Sequence, residues 1–125
     1  MIYQQLFEKL APDKIVRAGI IGTGHYATAI VTQSADIPRL TVPIVADIDL
    51  DSARTAFARA GISASEIVTC DTRAQALAAI EKEKVAITQD AGLLMDLPLD
   101  VIVEATGNAE AGARFASEAI AHGKH

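Results

Sequence analysis

The sequence holds no tryptophan, two tyrosines and three phenylalanines, so aromatic residues make up only 4% of its 125 positions. A core built with so few rings is filled by small and branched aliphatic side chains, which suits strands buried on both faces and covered by alanine-rich helices. Cysteine is scarcer still. Cys70 is the only one, which excludes an intramolecular disulfide, and no Cys/His cluster has zinc-ligand spacing, so no metal site is expected. A reducing cytoplasm is the compartment this predicts, with Cys70 an inert thiol because no base stands beside it. Basic charge is also short: 11 Lys and Arg face 16 Asp and Glu, for a net charge of -5. With no basic stripe, a nucleic-acid partner is not expected. No apolar run approaches the about 18 residues that suggest a membrane span, and Met1 to Leu10 lacks the basic start and apolar core of a secretory signal.

What is present is the size and composition of one ordinary globular domain, with half of the residues apolar. Ile2, Leu6, Phe7 and Leu10 recur at helical spacing and predict a short N-terminal helix ended by Pro12 and Asp13, an appendage over residues 1–14. From residue 15 to 125 strands and helices alternate. Ile15 to Ile21 is an apolar, β-branched run that leads straight into Gly22, and a helix is predicted from His25 to Ser34. A second strand follows over Val42 to Asp47. Ala53, Ala56, Phe57 and Ala60 give the next helix one apolar face, with Gly61 placed to close it. Ser63 to Glu66 and Thr72 to Gln75 both fit the capping-box pattern, and the second opens a helix whose inward face is Ala76, Leu77 and Ile80. Val85 to Thr88 is a third strand, Asp90 to Met95 a short helix broken by Pro98, Val101 to Ala105 a fourth strand, and Ala109 to His122 the last helix. The expected fold class is α/β, a Rossmann-type doubly wound parallel sheet truncated after about four strands. Gly123, Lys124 and His125 stand where another strand should begin, so the sequence reads as a truncated chain. The open apolar edge of strand four then predicts self-association into a homo-oligomer.

The chemistry is concentrated at the end of the first strand. Gly22-Thr23-Gly24-His25-Tyr26-Ala27 has the spacing G-x-G-x-x-A. That pattern is weak alone, but it gains weight between a strand and a helix. Gly22 permits the tight turn, Gly24 lets a pyrophosphate approach the backbone, and a small residue at Ala27 lets the helix pack on the sheet, its N-terminus facing the phosphates. His25 and Tyr26 are read as phosphate-side or packing residues and not as acid-base groups. Asp47, at the end of strand two, stands where a carboxylate accepts hydrogen bonds from an adenosine ribose. The loop behind it is acidic and has no Arg before Arg54, so charge alone favours NAD over NADP. Asp49 and Asp51 are read as helix-capping residues, and Glu104 as a carboxylate satisfied by backbone N–H groups. Ala105, Thr106 and Gly107, beyond the last strand, should border the nicotinamide half of a dinucleotide.

Gly22 to Ala27 with Ile30-Val31-Thr32-Gln33, the strand ending in Asp47, and Val101 to Gly107 running on to Ala109-Glu110-Ala111-Gly112-Ala113 and Gly123-Lys124-His125 resemble homoserine-dehydrogenase-like oxidoreductases. The likeness is strongest to the group that carries a C-terminal SAF domain, which includes deoxyxylulose-phosphate reductoisomerase-like enzymes. It spans essentially the whole chain. The resemblance implies a dinucleotide partner, a small-molecule substrate bound by a domain beyond residue 125, and catalytic residues that also lie beyond it, so none is named here. It also implies NADPH use in the reductoisomerase-like members, which leaves NAD or NADP open against the charge of Asp47. Two other functions remain compatible with the residues: a noncatalytic NAD(P)-sensing module, and an S-adenosylmethionine-binding domain.

Overall fold

The computed structural model describes residues 5 and 8–125. Residues 8–10 are helical, whereas Ile2, Leu6 and Phe7, three of the four apolar positions that predict the N-terminal helix, lie outside the described residues. From there the chain runs β1 (Val16–Ile21), α1 (His25–Ser34), β2 (Leu40–Ala46), α2 (Leu50–Arg59), β3 (Ile67–Thr69), α3 (Arg73–Glu81), β4 (Val85–Thr88), β5 (Val101–Glu104) and α4 (Ala109–Ala121). The five strands form one sheet in the order β3-β4-β2-β1-β5, and every pairing is parallel.

The α/β doubly wound architecture expected from the sequence is the one observed, with one strand more than predicted. The addition is β3, whose three residues end on the edge of the sheet beside β4. Only Ile67 of the three is buried, so no run of apolar residues marks it. Two further expectations change in detail. Residues Ala91–Asp96 wind as a 3-10 helix begun by Asp90, whose carboxylate accepts the Gly92 N–H. Ser63 makes no side-chain cap, whereas Thr72 and Gln75 form the full reciprocal capping box.

Alternation along the strands builds two cores. On one face Ile20 and Val45 meet Ala27 and Val31 of α1 and Ala53, Ala56 and Phe57 of α2. On the other, Ile21, Ile44 and Ala46 meet Ala76 and Ala79 of α3, Leu94 and Met95 of the 3-10 helix and Ala119 of α4. Side chains one residue apart on a strand point to opposite faces, so both faces of the central strands are apolar and covered. Each fully buried Ile, Leu or Phe contributes about 1.5–3 kcal/mol, and Ile20, Ile44, Ile87, Leu94 and Phe57 are all in that class.

The sheet order fixes where a ligand can sit. Successive connections carry the chain from β1 outward through β2, then across to β5 on the other side of β1. The two directions part between β1 and β5, and the crevice beyond the carboxyl ends of those strands is the ligand position of open α/β sheets. Backbone bonds tie the strand ends together there: Gly22 N–H donates to the Ala46 carbonyl at 2.8 Å, Ala105 N–H to Ile21 at 2.8 Å, and Asp47 N–H to Thr88 at 2.9 Å. The outer side of β5 meets His125, whose carbonyl accepts the Ile102 N–H at 2.8 Å.

Candidate functional site

A cleft of about 650 Å³ opens at this point. Gly22, Thr23 and Gly24 form one wall, Asp47 and Ile48 a second, and Ala105, Thr106, Asn108, Ala111, Arg114 and Phe115 a third, with Gln89 to Ala91 between. Six residues of the sequence reading thus come together: Gly22, Thr23, Gly24, Asp47, Ala105 and Thr106. His25, Tyr26, Ala27 and Gly107 are not among the lining. Tyr26 is 73% exposed, while Ala27 is wholly buried in the core under α1, the close helix-to-sheet packing that a small residue at this place allows. Gly107 follows Thr106 with φ +71 and turns the chain toward α4.

The two glycines do different things. Gly22 has φ +93, and a β-carbon there would lie 2.7 Å from the Ala105 carbonyl oxygen and 2.9 Å from the Thr106 nitrogen. The fold itself therefore requires glycine at 22, because the turn out of β1 presses on the turn out of β5. At Gly24 the backbone is extended, φ -67, and a β-carbon would meet nothing within 4 Å. No protein contact requires glycine at 24; the open space lies where a ligand would approach the main chain.

The start of α1 is bare. Asp49 caps α2 through the Asp51 N–H, Thr72 caps α3 through Gln75, and Asn108 caps α4 through Ala111. Gly24 offers α1 no side-chain acceptor. The first rung of its ladder is the Thr28 N–H to the Gly24 carbonyl at 3.0 Å, so the amides of residues 25–27 precede it. Orphan N–H groups and the positive end of the helix dipole make such a start favourable for an anion.

Asp47 is held rather than free. One carboxylate oxygen, Oδ2, accepts the Thr23 N–H at 2.8 Å and the Thr23 hydroxyl; the other, Oδ1, accepts the Asp49 N–H at 2.8 Å. The carboxylate thus joins the glycine turn to the end of β2 and stays half-buried at the cleft. Asp49 is a helix cap, as read from the sequence: its hydrogen bonds from the Ser52 hydroxyl and the Asp51 N–H hold its carboxyl below the usual carboxylate range. At the end of β5 the Glu104 Oε1 accepts the Thr106 N–H at 2.8 Å. Cys70 is fully buried, and burial, followed by the charge of Asp71, pushes its thiol up, which suits an inert side chain.

Sequence reasoning missed Ile48, Gln89, Asp90 and Arg114. Ile48 is 87% exposed although apolar, and the Gln89 side chain fixes its loop by donating to the Ile48 carbonyl at 2.8 Å. An apolar residue directly after the strand-end carboxylate was a signal available in the sequence. Arg114 is the one cation among the described residues of the lining, its guanidinium 4.6 Å from the Phe115 ring centroid. No spacing announces it, because α4 reaches the cleft only through the tertiary fold. Among the described residues no group of three or more His, Cys, Asp or Glu could hold a metal ion, and no helix is long and apolar enough to cross a membrane.

No protein-family model matches the chain, and comparison with characterised protein sequences finds no match either. Among solved structures, the fold is similar to scyllo-inositol dehydrogenase from Lactobacillus casei with bound NAD(H) and scyllo-inositol, at a TM-score of 0.63 and 14% identity over 90% of this chain. The apo form of that enzyme matches with the same values. The chain spans 27% of the length of these structures.

Proposed function

We propose that residues 15–125 are the coenzyme-binding unit of an NAD(P)-dependent oxidoreductase. The observation that carries this reading is the pairing of an uncapped helix start, open above Gly24, with a carboxylate fixed beside it at the end of the neighbouring strand. A dinucleotide needs both: donors for a diphosphate and an acceptor for a ribose. The residues assigned to the diphosphate side are Gly22, Thr23, Gly24 and the first amides of α1, with Asp47 on the ribose. Ala105, Thr106 and Gly107 border the nicotinamide, and His25 and Tyr26 flank the phosphates from the first turn of α1. A fold shared with a dehydrogenase domain supports the same assignment.

When bound, the coenzyme supplies hydride transfer to or from a small organic substrate. The groups that hold that substrate and move its proton are assigned to parts of a longer protein, in keeping with structural neighbours of which this chain spans 27%. Within this class, the resemblance to homoserine-dehydrogenase-like enzymes with a SAF domain rests on Gly22 to Ala27 and Val101 to Gly107. Self-association through β5 belongs to the same reading only beyond Ile102, because His125 already pairs with the Ile102 N–H and the Asp100 carbonyl on that edge. Calorimetric titration of the chain with NADH and NADPH tests the assignment. Saturable binding of at least one, competed by ADP-ribose, is the expected result; binding of neither by the folded chain would overturn it.

A further inference from the structure

Glycine is a poor helix former, yet position 112 sits inside α4 among alanines that serve a helix better. The reason lies on the strand beneath. A β-carbon at 112 would lie 2.7 Å from Glu104 Oε2 and 3.2 Å from Glu104 Cδ, and the three atoms nearest to it all belong to Glu104. Gly112 is therefore the seat of a carboxylate. The other oxygen, Oε1, accepts the Thr106 N–H at 2.8 Å, the one hydrogen bond Glu104 makes through its side chain among the described residues. Across a trans peptide the N–H and the preceding carbonyl point in opposite directions. With its N–H turned to Glu104, the Ala105–Thr106 peptide turns its carbonyl the other way, and Ala105 O lies 2.7 Å from where Gly22 would carry a β-carbon. One carboxylate thus sets how the turn after β5 meets the glycine turn after β1. The far end of the turn is held separately, by Asn108 N–H on Thr106 Oγ1 at 3.2 Å and Ala111 N–H on Asn108 Oδ1 at 2.9 Å.

Resting on the coenzyme reading, we infer that Glu104, seated against Gly112, is a positioning residue for the nicotinamide half of the coenzyme. It acts through the Ala105–Thr106 peptide and not by touching the coenzyme. What the turn requires from it is an acceptor at Oε1, not a negative charge. A β-carbon at 112 meets Cδ as well as Oε2, so the whole carboxyl group has to withdraw and give up the Thr106 N–H. Gly112 therefore acts through Glu104, and without the carboxylate an alanine at 112 costs nothing.

The test compares calorimetric titrations with NADH and with ADP-ribose, which lacks the nicotinamide, for the wild type, Glu104→Ala, Glu104→Gln, Gly112→Ala and the double variant Glu104→Ala/Gly112→Ala. Glu104→Ala and Gly112→Ala are each expected to weaken NADH about three- to tenfold, the worth of one hydrogen bond, with ADP-ribose affinity unchanged. Glu104→Gln keeps an acceptor for Thr106 and keeps the wild-type affinity for NADH. The double variant binds NADH as Glu104→Ala does, and its alanine at 112 favours the helix, so folding is not at stake. A second readout needs no ligand: hydrogen exchange at the Thr106 amide quickens in Glu104→Ala and in Gly112→Ala but not in Glu104→Gln. Equal losses of NADH and ADP-ribose, a Glu104→Gln as weak as Glu104→Ala, or losses that add in the double variant overturn the proposal. A wild type that binds neither ligand overturns instead the functional reading beneath it, and the Thr106 amide then still shows whether Glu104 holds the turn.

Discussion

Two hollows of similar size lie at opposite ends of the sheet, about 650 Å³ beyond the carboxyl ends of the strands and about 520 Å³ at their amino ends. Size does not tell them apart; the chemistry of their linings does. The amino-end hollow is walled by Ile15, Ile37, Leu40, Pro43, Ile62 and Val85, among others, with Arg17, Glu83 and Lys84 at its rim. Polar groups at this end mostly serve the protein itself. Lys14 pairs with Asp100 at 2.7 Å, holding that carboxyl below its ordinary range together with the Arg17 N–H, and the Arg39 guanidinium donates to the carbonyls of Ala11 and Lys14. The carboxyl-end cleft keeps donors in reserve instead: a helix start with no cap, beside a glycine that no protein contact demands. Spare hydrogen-bonding capacity, more than volume, marks a place built for a ligand.

The sharpest way to break this contrast is at the two glycines of the cleft, which should separate stability from binding. Gly22→Ala forces a side chain into positive φ and against the Ala105 backbone, and is expected to destabilise the fold by about 3 kcal/mol or more. A urea melt reads the effect as a lowered midpoint. Gly24→Ala should lower the midpoint far less, because its β-carbon enters open space and only the N-cap preference for glycine is lost, yet weaken NADH binding about 10-fold through overlap of about 1–2 kcal/mol. Equal stability losses in the two variants would erase the distinction drawn between them. At the other end of the sheet, Glu83 follows α3 at φ +58, a left-handed position that favours glycine. Glu83→Gly is expected to stabilise the chain by about 1 kcal/mol in the same melt, with NADH affinity unchanged although Glu83 lines the amino-end hollow.

The sequence disclosed most where local rules and the final fold agree. The helix near His25 to Ser34 was legible because a glycine turn opens it and Ala27 and Val31 give it a buried face. Thr72 announced its capping box because both partners sit within one turn. Legibility ended where neighbours distant in sequence decide. β3 is too short and too exposed to carry a period, and only its pairing with β4 makes it a strand. Ser63 carries the same local pattern as Thr72, but its helix stops after one short turn and leaves no box to close. In the cleft, Gly22, Gly24 and Asp47 were readable from spacing. The hydroxyl of Thr23 on Asp47 and the arrival of Arg114 depend on how the turns and α4 meet in space.

Amide chemical-shift mapping during an NADH titration bears most directly on the central claim, since it surveys both hollows at once. The amides of residues 22–27, 47–49 and 105–107 should move together in a saturable way, while those of 37, 41, 62 and 83–85 stay in place. Shifts gathered at the amino-end hollow, or a cleft silent at saturating NADH, would contradict the account.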